Sequence, residues 1–196
     1  MWSTDDSQQP PPAAPPNADG RALAMTVFSL LRPGGAFVQR VLFAIGRRRP
    51  PTDVRALGSI HYARLGIIRR VPDHGQPEEH VRQPLQLFET NYNGTFDQYI
   101  DSFVDAVPWK MRAFWGTSYG FPWRLALQPF KRFIHANEFP IDHYYAAYPG
   151  ATTKMVGAAL RIADAHAQFH RHAARLGPDA FADEYRSFVT RVQGDL

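Results

Sequence analysis

The sequence predicts an α+β fold in which a single sheet is covered by helices. Two observations carry that prediction. Residues 85–107 change hydrophobic period partway along. Leu85, Leu87 and Phe88 lie in an extended run, Asn91-Tyr92-Asn93-Gly94 breaks it, and Phe96, Tyr99, Ile100, Phe103, Val104 and Val107 then recur at helical spacing. Further strand-like and helical segments alternate along the rest of the chain. The 196 residues, 44% of them hydrophobic, are enough to bury a core.

The elements follow in order. Residues 1–20 are rich in Pro, Ala and Gln and are expected to be a disordered tail. They lack the basic-then-apolar pattern of a secretory leader. Residues 21–55 form a basic segment with two apolar clusters, Leu23 to Leu31 and Phe37 to Ile45, separated by Arg32-Pro33-Gly34-Gly35. Each cluster is expected as a short amphipathic helix, too short to span a bilayer. The α+β domain is expected over 56–196. Its predicted strands are Gly58 to Val71, Leu85 to Tyr92, Met111 to Tyr119 and His143 to Tyr148. Its first helix, residues 95–107, has Thr95 as N-cap and Asp97 in the first turn. A short helix follows from Pro129 to Ala136. A long helix capped by Thr152 or Thr153 runs to about Leu176, and a last one spans 179–193. Met155, Ala159, Ile162, His166, Phe169, Ala173 and Leu176 recur three or four apart, as do Phe181, Tyr185, Phe188 and Val192. The last two helices therefore read as an antiparallel hairpin with one apolar stripe each.

Residues 59–149 carry a resemblance. His61-Tyr62-Ala63-Arg64, Asn91 to Phe96, Trp115 with Tyr119-Gly120-Phe121-Pro122, and Ala147-Tyr148-Pro149 resemble a ferredoxin-like, dimeric α+β barrel domain of bacterial proteins. That domain is distantly similar to the dye-decolourising peroxidase group. The resemblance implies a ferredoxin-like four-stranded sheet and a homodimer. As an alternative activity it implies an oxidoreductase binding haem, with His61 or His143 as ligand or base. The Asp and Arg of the peroxidase group's distal haem pattern are not recognisable in this chain.

Charge is unevenly spread. Residues 1–20 carry three Asp and no Lys or Arg; residues 21–82 carry 11 Arg and four acids; residues 83–196 carry 11 of each sign. The net charge of +4 therefore originates upstream of a neutral body, which argues against nucleic acid as the body's partner. The chain has no Cys, which excludes disulfides, thiolate catalysis and Cys-ligated metals. Residues 21–50 hold six Arg and no acid. They are expected either to lie on an anionic membrane surface, with Arg47, Arg48 and Arg49 at the headgroups, or to pack on the domain. Localisation is accordingly expected in the cytoplasm, with the inner membrane face as the docking surface.

The candidate ligand-binding residues are His61, Arg64, Tyr92, Trp115, Tyr119 and His143. The aromatics would form apolar walls and the His and Arg side chains polar handles for a small molecule. The alternative is an aromatic core with polar atoms satisfied locally. Asn91 to Gly94, at a strand-to-helix junction, would either rim that pocket and receive an anionic group or simply satisfy turn geometry. Asp97, Asp101 and Asp105 read as the solvated face of their helix. His166 and His170 stand four apart, close enough to share a metal, but His166 falls on the apolar stripe and reads as a core or interface residue, while His170-Arg171-His172 reads as solvent-facing. The expected function is a small-ligand-binding domain held at a membrane surface, with a protein-interaction domain as a further alternative.

Overall fold

The computed structural model describes residues 16–48 and 52–196. Its centre is an open antiparallel sheet. Strand β1 (Ala18–Asp19) turns at Gly20 into β2 (Ala22–Leu30). Helices α1 (Gly35–Gly46) and α2 (Thr52–Ala56) lead to β3 (Ile60–Val71), and a loop returns the chain as β4 (Glu79–Asn93). Helices α3 (Phe96–Ala106), α4 (Pro108–Trp115) and α5 (Leu127–Asn137) follow, then β5 (Glu138–Phe139). The order across the sheet is β1-β2-β4-β3, and β5 also pairs with β2, at Thr26 and Val27. A hairpin of α6 (Thr153–Ala173) and α7 (Pro178–Val192) ends the chain.

Several expectations are corrected. The first apolar cluster is not a helix. ALAMTVFSL is a central strand paired along its length with β4, from Ala22 opposite Asn93 to Leu30 opposite Leu85. The strand carries apolar residues on both faces and so lacks polar alternation, which makes its run look the same as that of a buried helix. Part of the expected disordered tail, Ala18–Asp19, is also paired in the sheet. Residues 1–15 and 49–51 lie outside the described residues. Met111 to Tyr119 is not a strand either. Pro108 starts α4, whose residues Met111, Phe114 and Trp115 follow Val107 at helical spacing onto the core. His143 to Tyr148 is an irregular segment, fixed where the Ala146 N–H donates to Asp19 Oδ2 at 2.9 Å and where Pro149 O accepts from Arg21 N at 2.8 Å. The last strand of the sheet is instead β5.

One face of the sheet carries the core. Met25 and Val27 of β2 and Tyr92 of β4 meet Tyr99, Ile100 and Phe103 of α3, Trp115 of α4, and Phe130, Phe133 and Ile134 of α5. Thr95 caps α3 with a reciprocal pair: its hydroxyl accepts from Gln98 N, and Gln98 Oε1 accepts from Thr95 N. The opposite face carries Ala22, Ala24, Phe28 and Leu30 of β2, Leu85, Leu87 and Glu89 of β4, and Tyr62, Arg64 and Ile68 of β3. It is only partly covered: Tyr62, Leu30 and the adjoining Phe139 are exposed.

Candidate functional site

The six sequence-predicted site residues do not line one cavity. Tyr92 and Trp115 are core residues: Tyr92 stacks on Tyr99 at 4.0 Å, and Trp115 meets Phe88 and Phe133 edge-on at 5.6 Å. Burial, reinforced by the negative charge of Glu138, pushes the Tyr92 hydroxyl up to about 12. Arg64 lies on the open sheet face, 3.4 Å from Glu89. Tyr119 is exposed, with the Arg32 guanidinium 5.9 Å from its ring centre. His143 is exposed in the irregular segment. His61 borders a cavity of about 240 Å³, together with Ala22, Asn91, Tyr144 to Tyr148, Ala151 and Val156.

A second cavity of about 350 Å³ opens where β4 meets α3 and α6. Gly58, Ser59, Asn93, Gly94, Gln98, Ser102, Thr153 and Lys154 are among the residues lining it. The expected Asn91 to Gly94 turn is the end of β4 followed by Gly94; Asn93 and Gly94 contribute to this rim, but the Asn93 side chain is engaged. Asn93 Nδ2 donates to Arg21 O at 2.7 Å, and Asn93 Oδ1 accepts from Thr153 N at 3.0 Å. The Thr153 hydroxyl donates to Gly58 O. Ser59 Oγ is buried with no hydrogen-bond partner.

The acidic stripe of α3 is not simply solvated. Asp97 and Asp101 hold Lys131 of α5, with Nζ 2.7 Å and 2.6 Å from their carboxylates. Lys131 is only 8% exposed, and the hydrogen bonds that its ammonium donates to Asp101 and Asp97 hold it above the usual lysine range. Lys131 sits between Phe130 and the buried Phe133 in an amphipathic helix, which was the available sequence signal.

Helix α1 is the most unusual surface. Its inward side is Gly35, Ala36 and Gln39. Gln39 Nε2 donates to Phe114 O at 2.5 Å, to Thr117 Oγ1 at 2.8 Å and to Ala113 O at 3.2 Å, pinning the helix against α4. Its outward side is apolar. Phe37, at 72% exposure, lies with Val38, Val41 and Ile45 on one helical face, all in water. Arg47 and Arg48 follow the helix, exposed; Arg49 lies outside the described residues. The neighbouring α4 adds exposed Trp109, with Lys110 Nζ 5.3 Å from its ring centre. The sequence holds no Asp or Glu over residues 21–52 or over 106–137. Both elements therefore come from acid-free stretches. The charge asymmetry was legible in the sequence for the first stretch only; which side of α1 faces water was not.

Compared with known protein families, curated proteins and solved structures, the chain matches none.

Proposed function

We propose that this protein is a peripheral membrane-surface domain that docks on anionic lipid through α1. The observation that carries the reading is the orientation of α1. A folded helix normally turns its apolar side inward, yet here Phe37, Val38, Val41 and Ile45 face water while Gln39 is buried. Burial of one large apolar side chain stabilises by about 1.5–3 kcal/mol, so four reaching only half that depth would contribute about 3–6 kcal/mol. Each cation near an anionic surface adds about 1 kcal/mol. No helix among the described residues is long and apolar enough to cross a membrane, and in this proposal α1 lies in the interface plane.

The sheet order supports a related fold-level reading. We read β5-β2-β4-β3, with α1 between β2 and β3 and α3 to α5 between β4 and β5, as the ferredoxin-like split arrangement. In that reading α1 belongs to the fold itself and reaches the membrane as a rigid part of it.

Vesicle co-sedimentation of the full-length chain tests the proposal. Phosphatidylserine-containing vesicles should bind it in low salt, and phosphatidylcholine vesicles should bind it at least tenfold less. The variant Phe37→Glu/Ile45→Glu should lose binding, as should Arg47→Glu/Arg48→Glu. If the first variant binds as well as the native chain, the attraction is only electrostatic and the docked helix is wrong. If α1 instead covers a protein partner, the native chain will not sediment with either vesicle.

A second reading, small-ligand binding, is favoured by one observation: the unpartnered Ser59 Oγ beside the 350 Å³ cavity. Ser102→Trp should fill that space. A ligand-detected NMR screen giving the same hits for this variant and the native chain would remove the cavity as a site.

A further inference from the structure

The C-terminal hairpin has a half-built core. Phe169 of α6 stacks on Phe188 of α7 at 5.1 Å, with Phe181 and Tyr185 beside it at 5.6 Å and 6.0 Å. Yet from Lys154 onward only Ala173 and Val192 are fully buried. The ring contacts of the hairpin run within it. Its attachment to the body is at the first turn of α6, through Thr153 and through Arg21 on Met155.

Beside the stripe that meets α7, α6 carries a second apolar strip. At roughly 100° per residue, Met155, Val156, Ala159, Leu160, Ala163 and Ala167 fall together, all exposed, and the exposed His166 and His170 share that side toward the C-terminal end of the helix. On α7 the exposed apolar residues next to the contact are Phe181, Tyr185 and Val189. Because the helices are antiparallel, both strips fall on the same side of the hairpin. That side is therefore largely apolar, with Ala163 and Ala167 of α6 beside the rings of α7 and His166 and His170 toward the turn end.

We infer that a second copy of this chain covers that face, completing a four-helix bundle. A two-fold axis running along the hairpin lays α7 of each copy on α6 of the other, so that rings meet alanines. Counted from the Leu176-Gly177 turn at about 1.5 Å per residue, Ala167 stands level with Tyr185 and Ala163 with Val189. Charge selects the same arrangement. Asp179 at the start of α7 comes level with Arg171 and Arg175 near the end of α6 in the second copy, whereas Asp183 and Glu184 are paired within their own helix to Arg186 and Arg191. Laying α6 on α6 would instead set Lys154 against those arginines; Arg161 is already paired with Asp195.

Sedimentation velocity of the full chain should give a species of twice its 22.2 kDa mass. Ala163→Glu should weaken the dimer at least tenfold with far-UV circular dichroism unchanged. The chain has no Cys, so engineered ones report geometry directly. Ala163→Cys co-expressed with Val189→Cys should give an oxidised cross-linked dimer, and either variant alone should not. A monomeric native chain, a dimer broken by Phe37→Glu and not by Ala163→Glu, or cross-linking of Ala163→Cys with itself would each overturn the inference.

Discussion

Gln39 is a polar residue on the inward side of α1, fully buried, and its amide nitrogen meets acceptors around the end of α4. A buried acceptor that loses its donor costs about 1–3 kcal/mol. Gln39→Leu should lower stability by about that amount, read as a shifted midpoint in chemical denaturation. Tyrosine ionisation gives a second residue-scale test. Burial pushes Tyr92 up to about 12, and burial, opposed by the hydrogen bond with Thr90 and aided by Tyr92, raises Tyr99 as well. The unfolded chain releases these protons near pH 10, while the folded chain keeps them. Stability should therefore fall as pH rises through the interval from about 10 to 12. Phenolate absorbance should show Tyr92 and Tyr99 titrating late, together with unfolding. If all eight tyrosines titrate together near pH 10 while the protein stays folded, the buried pair is misplaced.

At the scale of elements, Thr95→Ala removes the reciprocal cap of α3 and should cost about 0.5–2 kcal/mol in denaturation. Gly20 joins β1 to β2 with φ +60°, and a Cβ there would collide with the Pro149 carbonyl. Gly20→Ala should be destabilising on both counts, and a thermal melt matching the native chain would contradict it. Helices α3, α6 and α7 were legible in the sequence because a cap or an N1 proline sits at the start of a clear helical period. The two strands β3 and β4 were legible because a turn joins two extended runs. β2 was not, since apolar residues on both of its sides erased the alternation that marks a strand. Aromatic crowding made α4 look extended, because Trp and Phe favour strands until packing decides otherwise. The candidate site failed for a related reason. Tyr92 and Trp115 were read for their chemistry, but the rings that bury them, Tyr99 for the one and Phe88 and Phe133 for the other, lie on other elements that only the fold brings together.

For the whole molecule, the sheet is covered on one face, and three apolar surfaces remain: the outward side of α1, the open sheet face and one side of the hairpin. The membrane and second-copy proposals assign the first and the last to different occupants. They make separable demands, since vesicle binding should survive Ala163→Glu and dimerisation should survive Arg47→Glu/Arg48→Glu. Co-sedimentation and sedimentation velocity on the same two variants check this.

The placement of β2 also bears on how the chain is made. Its long partner, β4, lies at least 55 residues downstream, the spacing from Leu30 to Leu85. At about 5–20 residues per second, a nine-residue apolar segment leaves the ribosome roughly 3–11 seconds before the strand that will shelter it. The β3–β4 hairpin, built from nearby residues, assembles first, and β2 is captured onto its edge. During that wait the nascent chain is open to chaperones and to aggregation, so synthesis rate becomes a determinant of yield.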